Sequence, residues 1–142
     1  MKLTVKTFSE LSASEVYEIL KARAEIFVAE QGIRCCDPDG LDRECLHCYL
    51  SEGDEILAYL RAHKTDRGAV KIGRVLSITH GKGHGKALMN MSMDKIRRHF
   101  GIEKIVINAQ KRAVGFYEKM GFVTVGEEFL EEGVAHIGME FR

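Results

Sequence analysis

The chain has 142 residues, 45% of them hydrophobic, and its 21 basic and 21 acidic side chains cancel to a formal charge of zero. That length suits one domain, residues 1–142, around one core, and without a basic excess it is not expected to bind nucleic acid. No apolar run approaches the ~20 residues of a membrane span, and the start Met1-Lys2-Leu3-Thr4-Val5-Lys6 lacks the apolar region of a signal peptide, so no membrane association and a reducing cytoplasm are expected.

Thr4 to Phe8 reads as a first strand. Ser12-Ala13-Ser14-Glu15 is a capping-box pattern that starts a helix ending near Gln31-Gly32, with Val16, Ile19, Leu20, Phe27 and Val28 on or near one face. Seven residues apart, Arg23 and Glu30 share a face of that helix. The loop from Gly32 to Glu44 is long and acidic, and loops of that length in compact domains are often functional. Strands follow at Cys45 to Ser51, Glu55 to His63 and Ala69 to Ile78, with turns that make them antiparallel neighbours. A helix is expected from Gly85 to His99, a strand from Lys104 to Ala109, and a short helix from Lys111 to Met120 stopped by Gly121. Phe122 to Phe129 and Val134 to Phe141 close the chain around Glu131-Glu132-Gly133. The order β-α-β-β-β-α-β-α-β-β predicts an α/β fold with a mixed sheet and helices on both faces.

The cysteines cluster at Cys35, Cys36, Cys45 and Cys48. A zinc site would draw on Cys45-Leu46-His47-Cys48, which supports a zinc-stabilised interaction domain as one reading. Adjacent Cys35 and Cys36 make an awkward tetrahedral pair, there is no second Cys-x-x-Cys, and strand alternation sends Cys45 and Cys48 to opposite faces. Reduced thiols and no metal are expected.

The segment with the clearest chemistry is the strand, glycine turn and helix across Val70 to Arg98. Glycines at 81, 83 and 85 let the chain turn tightly with its N–H groups uncovered, and the helix that follows adds free N–H groups and a partial positive charge. Together they suit a pyrophosphate, with Lys82 and Lys86 at the edge. A phosphate-binding Walker loop needs Ser or Thr after its lysine, and Lys86 precedes Ala87. A dinucleotide fingerprint needs Gly-x-Gly-x-x-Gly, and the spacing here is Gly-x-Gly-x-Gly.

The run from Asn108 to Phe122 is a strand, short helix and return strand around Phe116-Tyr117-Glu118-Lys119-Met120-Gly121-Phe122. It resembles the acetyl-CoA-side motif of GNAT N-acetyltransferases, and His80-Gly81-Lys82-Gly83-His84-Gly85 resembles their pyrophosphate motif, [Gln/Arg]-x-x-Gly-x-[Gly/Ala]. Arg23-Ala24-Glu25-Ile26-Phe27-Val28-Ala29-Glu30-Gln31 and the tail from Gly126 to Met139 resemble the small ElaA-like branch, so the resemblance covers essentially the whole chain. Three departures stand out. His80 replaces Gln or Arg, the stretch Ser77 to His80 is about two residues short, and Ala135 replaces a proline.

The resemblance implies a GNAT-like acyl-CoA N-acyltransferase fold with a central, mostly antiparallel sheet. It implies acetyl-CoA as cosubstrate and a small-molecule or peptide amine as acceptor. Proteins of this kind are often homodimers, although the sequence itself does not set the oligomeric state. Val75, Leu76, Ser77 and Ile78 would meet the thioester and pantetheine arm. His80 to Lys86 (including His84) would hold the diphosphate, and Asn108, Phe116 and Tyr117 would complete the cofactor side. Tyr117 would be the general acid for the CoA thiolate. Glu30, His136 and Glu44 are the candidate bases, with Glu30 equally able to pair with Arg23. A module that holds acyl-CoA without chemistry is the alternative function.

Overall fold

The capping box at Ser12 is formed as its pattern requires. Ser12 Oγ accepts from the Glu15 amide at 3.1 Å, and Glu15 Oε1 accepts from the Ser12 amide at 3.0 Å. Glu15 also takes the Lys6 ammonium at 2.9 Å and the Tyr49 hydroxyl. Burial opposes its charge, but these donors outweigh it and hold the carboxyl down at about 2.

The computed structural model describes residues 1–141. In chain order its elements are β1 (Lys2–Thr7), α1 (Ala13–Arg23), β2 (Leu46–Glu52), β3 (Glu55–Lys64), β4 (Val70–Ser77), α2 (His84–Phe100), β5 (Ile105–Gln110), α3 (Val114–Glu118), β6 (Phe122–Glu131) and β7 (Val134–Phe141). All seven strands lie in one sheet, ordered β1-β2-β3-β4-β5-β7-β6. Only the β4–β5 pairing is parallel, and α2 makes the crossover between those two strands. No helix among the described residues is long and apolar enough to cross a membrane.

Alternation along the strands splits the core in two. Leu46, Cys48 and Leu50 of β2, with Ala58, Leu60 and Ala62 of β3, pack towards Leu88, Met89, Met93 and Ile96 of α2. The intervening Tyr49 and Tyr59 pack with Ile19, Ala22 and Ile26 on the other face. Each fully buried Leu or Ile contributes about 1.5–3 kcal/mol of transfer free energy, so both helices are fixed chiefly by these stripes.

Several boundaries differ from the sequence reading. The first helix does not run as an α-helix to Gln31; Ala24–Glu30 is a π-helical stretch. The wider turn rotates its faces, so Val28 is exposed and Glu30 leaves the Arg23 face. The helix expected over Lys111 to Met120 is a 3₁₀ turn, Lys111–Ala113, followed by α3. β6 runs on to Glu131, and Glu132 (φ 51°) and Gly133 (φ 75°) form the two-residue turn into β7. β2 begins at Leu46, so Cys45 lies just outside it and donates its thiol to the Leu41 carbonyl at 3.2 Å. Cys48 packs on the α2 side, and burial pushes its thiol up to about 12.

β4 carries the irregularity that shapes the rest. Tyr59 faces Leu76 and Arg61 faces Gly73, so Leu60 alone opposes Arg74 and Val75. Arg74 takes up the extra residue at φ 52°, a left-handed conformation uncommon outside glycine. The bulge inverts the alternation. Ile72 and Val75, three apart, both pack on the α2 side, and Leu76 turns to the α1 side.

Candidate active site

The parallel ladder between β4 and β5 covers only Val70, Ile72 and the residue between them, paired with Ile105 to Ile107. Beyond it β4 stays with β3 while Asn108, Ala109 and Gln110 continue with β7. The two strands part at the bulge, and a cleft of about 1000 Å³ opens there. Gly73 and Val75 line one side, Asn108 and Gln110 the other. Phe27, Glu30 and Gln31 reach it from the end of the first helical segment, and Tyr117, His80 and His136 also face it.

The acidic loop forms its outer wall and is tied down from behind. Arg23, fully buried, donates Nε to Asp37 Oδ2 at 2.8 Å and Nη1 to Asp42 Oδ1 at 2.6 Å. Arg61 donates to Asp39 Oδ1 and Asp42 Oδ1, both at 2.9 Å, and Arg74 donates Nε to Asp37 Oδ1 at 3.0 Å. The Arg61 guanidinium holds the Asp39 carboxyl well below the ordinary carboxylate range. For Asp42, burial works the other way, yet its bonds to Arg23 and Arg61 lower it as well. The loop therefore presents neutralised carboxylates rather than a free acidic surface. Arg23 pairs with these aspartates and not with Glu30.

Glu30 instead accepts from His80 Nε2 at 2.5 Å, joining the first helical segment to the glycine turn. Gln110 Nε2 donates to Gln31 Oε1 at 2.9 Å in the same region, a contact no sequence pattern announced. Within the turn, Gly81 (φ 77°) and Gly83 (φ 74°) are left-handed, and Gly83 caps α2. The first backbone bond of α2 runs from the Ala87 amide to the Gly83 carbonyl, so the amides of His84, Gly85 and Lys86 precede the ladder. Gly85 is buried beneath Phe116, where an added Cβ would stand 3.6 Å from Cζ. Lys82 and Lys86 are exposed.

Tyr117 is buried, with its ring against Phe116 and Phe122 at 5.1 and 5.7 Å. Burial raises its phenol well above the ordinary value. Its hydroxyl makes no hydrogen bond among the described residues. His136, also buried, donates Nδ1–H to the Val134 carbonyl at 2.7 Å, and its Nε2 lies 3.5 Å from Glu131 Oε2.

Thus Glu30, Val75, His80, Asn108, Tyr117 and His136 share one cleft. Leu76 and Ile78 turn into the α1-side core, and Ser77 donates to the Thr79 carbonyl, so their side chains do not line it. The turn from Gly81 to Lys86 stands outside the cleft lining, and exposed Glu44 lies apart on the 3₁₀ turn Asp42–Glu44. The buried Arg61 and the bulged Arg74 were missed; their signal was an inward alternation of Arg61 with Tyr59, opposite a loop carrying Asp37, Asp39 and Asp42.

Residues 5–142 match the model of the acetyltransferase (GNAT) domain. Protein ElaA of Escherichia coli K12 is 35% identical over 137 residues, covering 92% of this chain and 90% of that one. The crystal structure of E. coli ElaA superposes with a TM-score of 0.90 at 33% identity over 99% of both chains. An acyl-CoA N-acyltransferase from Pseudomonas aeruginosa superposes with a TM-score of 0.91 at 34% identity over the full length of both.

Proposed function

This chain belongs to the GNAT acetyltransferase family, and from that premise we propose that it transfers an acetyl group from acetyl-CoA to the primary amine of a small molecule or peptide. The observation that carries the reading is Tyr117, a buried side chain lining the gap between β4 and β5 with its hydroxyl unclaimed by protein. A phenol that lines the cleft with no protein partner among the described residues is free to donate to a group that arrives with substrate.

When bound, acetyl-CoA supplies an acyl group activated as a thioester. The left-handed glycines 81 and 83, the free amides opening α2 and the nearby Lys82 and Lys86 suit its diphosphate. Asn108 offers both a donor and an acceptor to the amides of the pantetheine arm. The open edge of β4 at the bulge offers backbone N–H groups to the thioester carbonyl oxygen, where negative charge grows. Tyr117 serves the sulfur. Burial holds the phenol above a thiol's ordinary ~8.5, so it stays protonated and donates its hydrogen bond to the departing thiolate.

The acceptor enters from the α1 face and must lose its extra proton. We assign the base to His136 in preference to Glu30, whose carboxylate is engaged by His80. The Val134 carbonyl holds His136 Nδ1–H, which leaves Nε2 to take the proton, and the Glu131 carboxylate 3.5 Å away stabilises the imidazolium. The test is acetyl-CoA turnover against a varied set of amines, read as free thiol. Amine-dependent thiol release that falls in His136→Gln supports the reading. Tight CoA binding with no release for any amine would instead establish a non-catalytic binding module.

A further inference from the structure

A second cavity lies behind the 37–43 loop, on the side away from the cleft, and encloses about 210 Å³. Phe8, Leu11, Val16, Ile19 and Leu20 supply an apolar wall. The polar groups at its base are already engaged. Arg23 is taken by Asp37 and Asp42. His47 donates Nε2–H to the Asp42 carbonyl at 2.8 Å and accepts the Tyr59 hydroxyl at Nδ1 at 2.6 Å, and burial favours its neutral form. The interior thus asks for an apolar body with no hydrogen-bonding demand of its own. The rim carries a cation. Arg43 is exposed, stands 5.8 Å from the Phe8 ring centroid and has no carboxylate partner among the described residues.

Size narrows the occupant. An apolar cavity of about 150 Å³ accepts benzene, whereas drug-sized ligands fill about 300 Å³ or more. The volume here fits one six-membered ring with a small substituent. We propose that this cavity is a binding site for a small aromatic carboxylate, its ring between Phe8 and α1 and its carboxylate on Arg43. Pro38 lines both this cavity and the cleft, and Asp42 at the cavity is tied through Arg23 and Arg61 to Asp37 and Asp39 at the cleft. A ligand here braces the cleft wall from behind and lowers KM for the amine; that kinetic effect, unlike the binding itself, rests on the proposed acetyltransferase reading.

The test titrates benzoate, and benzyl alcohol as its uncharged counterpart, into the methyl-labelled full chain by NMR. Saturable shifts are expected at the methyls of Leu11, Val16, Ile19 and Leu20. Arg43→Ala should weaken benzoate about tenfold, the loss of one charge-assisted contact, and leave benzyl alcohol unchanged. Leu20→Phe, which fills the space, should abolish both. No saturable shift at those methyls, or benzoate affinity unchanged in Arg43→Ala, overturns the proposal. Arg43 is exposed and outside the core, so that variant decides the matter even if Leu20→Phe does not fold. Because the readout is binding, failure here leaves the acetyltransferase reading untouched, and an absence of turnover leaves this site untouched.

Discussion

Two segments border the cleft and are held in opposite ways. The 37–42 loop carries three carboxylates, and buried or half-buried arginines from α1, β3 and β4 neutralise them. The 78–83 turn carries glycines, and among the described residues its one polar side-chain tie to another segment is the exposed pair His80–Glu30. The contrast teaches that the loop wall is fixed by side-chain charge, while the glycine turn is shaped by backbone conformation. Substitutions should therefore damage stability at the first segment and ligand affinity at the second.

The largest effect is expected from Arg23→Met. It leaves the buried Asp37 and the Asp42 carboxylate short of a cation, and breaking a buried pair in this way costs about 3–5 kcal/mol. Urea unfolding measures it, and a loss below about 1 kcal/mol would mean that Arg61 and Arg74 suffice.

Between the two segments, Tyr117→Phe should lower kcat about 100-fold, the low end for a positioned proton donor, while CoA affinity holds. Unchanged turnover would remove the phenol from the chemistry.

A smaller effect follows from Glu15. Its folded carboxyl is held at about 2 against an ordinary 4.5, so its contribution is complete above pH 4.5 and disappears as pH falls towards 2. Stability should fall as the pH drops through that window, and Glu15→Gln should flatten the slope. An identical slope in that variant would place the acid sensitivity elsewhere.

The least is expected from Glu30→Gln. The pair with His80 is exposed, so stability should change by less than about 1 kcal/mol. A larger loss would show that the glycine turn depends on a side-chain clasp after all, and the contrast between the segments would fail.

What was legible in the sequence was local or periodic. The Ser12–Glu15 box spans three residues, α2 announces itself by helical spacing at Met89, Met93 and Ile96, and the Glu131-Glu132-Gly133 turn sits between two apolar runs. What was not legible depends on departures from a period. The π-helical stretch after Arg23 moved Glu30 to another partner, and nothing in Ala24 to Glu30 marks it. The bulge at Arg74 places a non-glycine residue at positive φ, so no residue type flags it, yet it reverses which β4 side chains reach the cleft. Tyr117, Asn108 and His136 were singled out from their motifs and line the cleft, whereas the places of Gln110, Arg61 and Arg74 depend on the sheet register. The cysteine spacing, which resembled a ligand set, sits in separate surroundings once β2 begins at Leu46.

The central claim is that the 81–86 turn holds the diphosphate of coenzyme A where β4 and β5 part. Calorimetric titration of CoA beside pantetheine, in the wild type and in Gly83→Val, tests it most directly. CoA should bind at one site about tenfold or more tighter than pantetheine, and a side chain forced into the left-handed position at 83 should erase that advantage. Equal affinity for the two compounds, or an advantage that survives Gly83→Val, would contradict it.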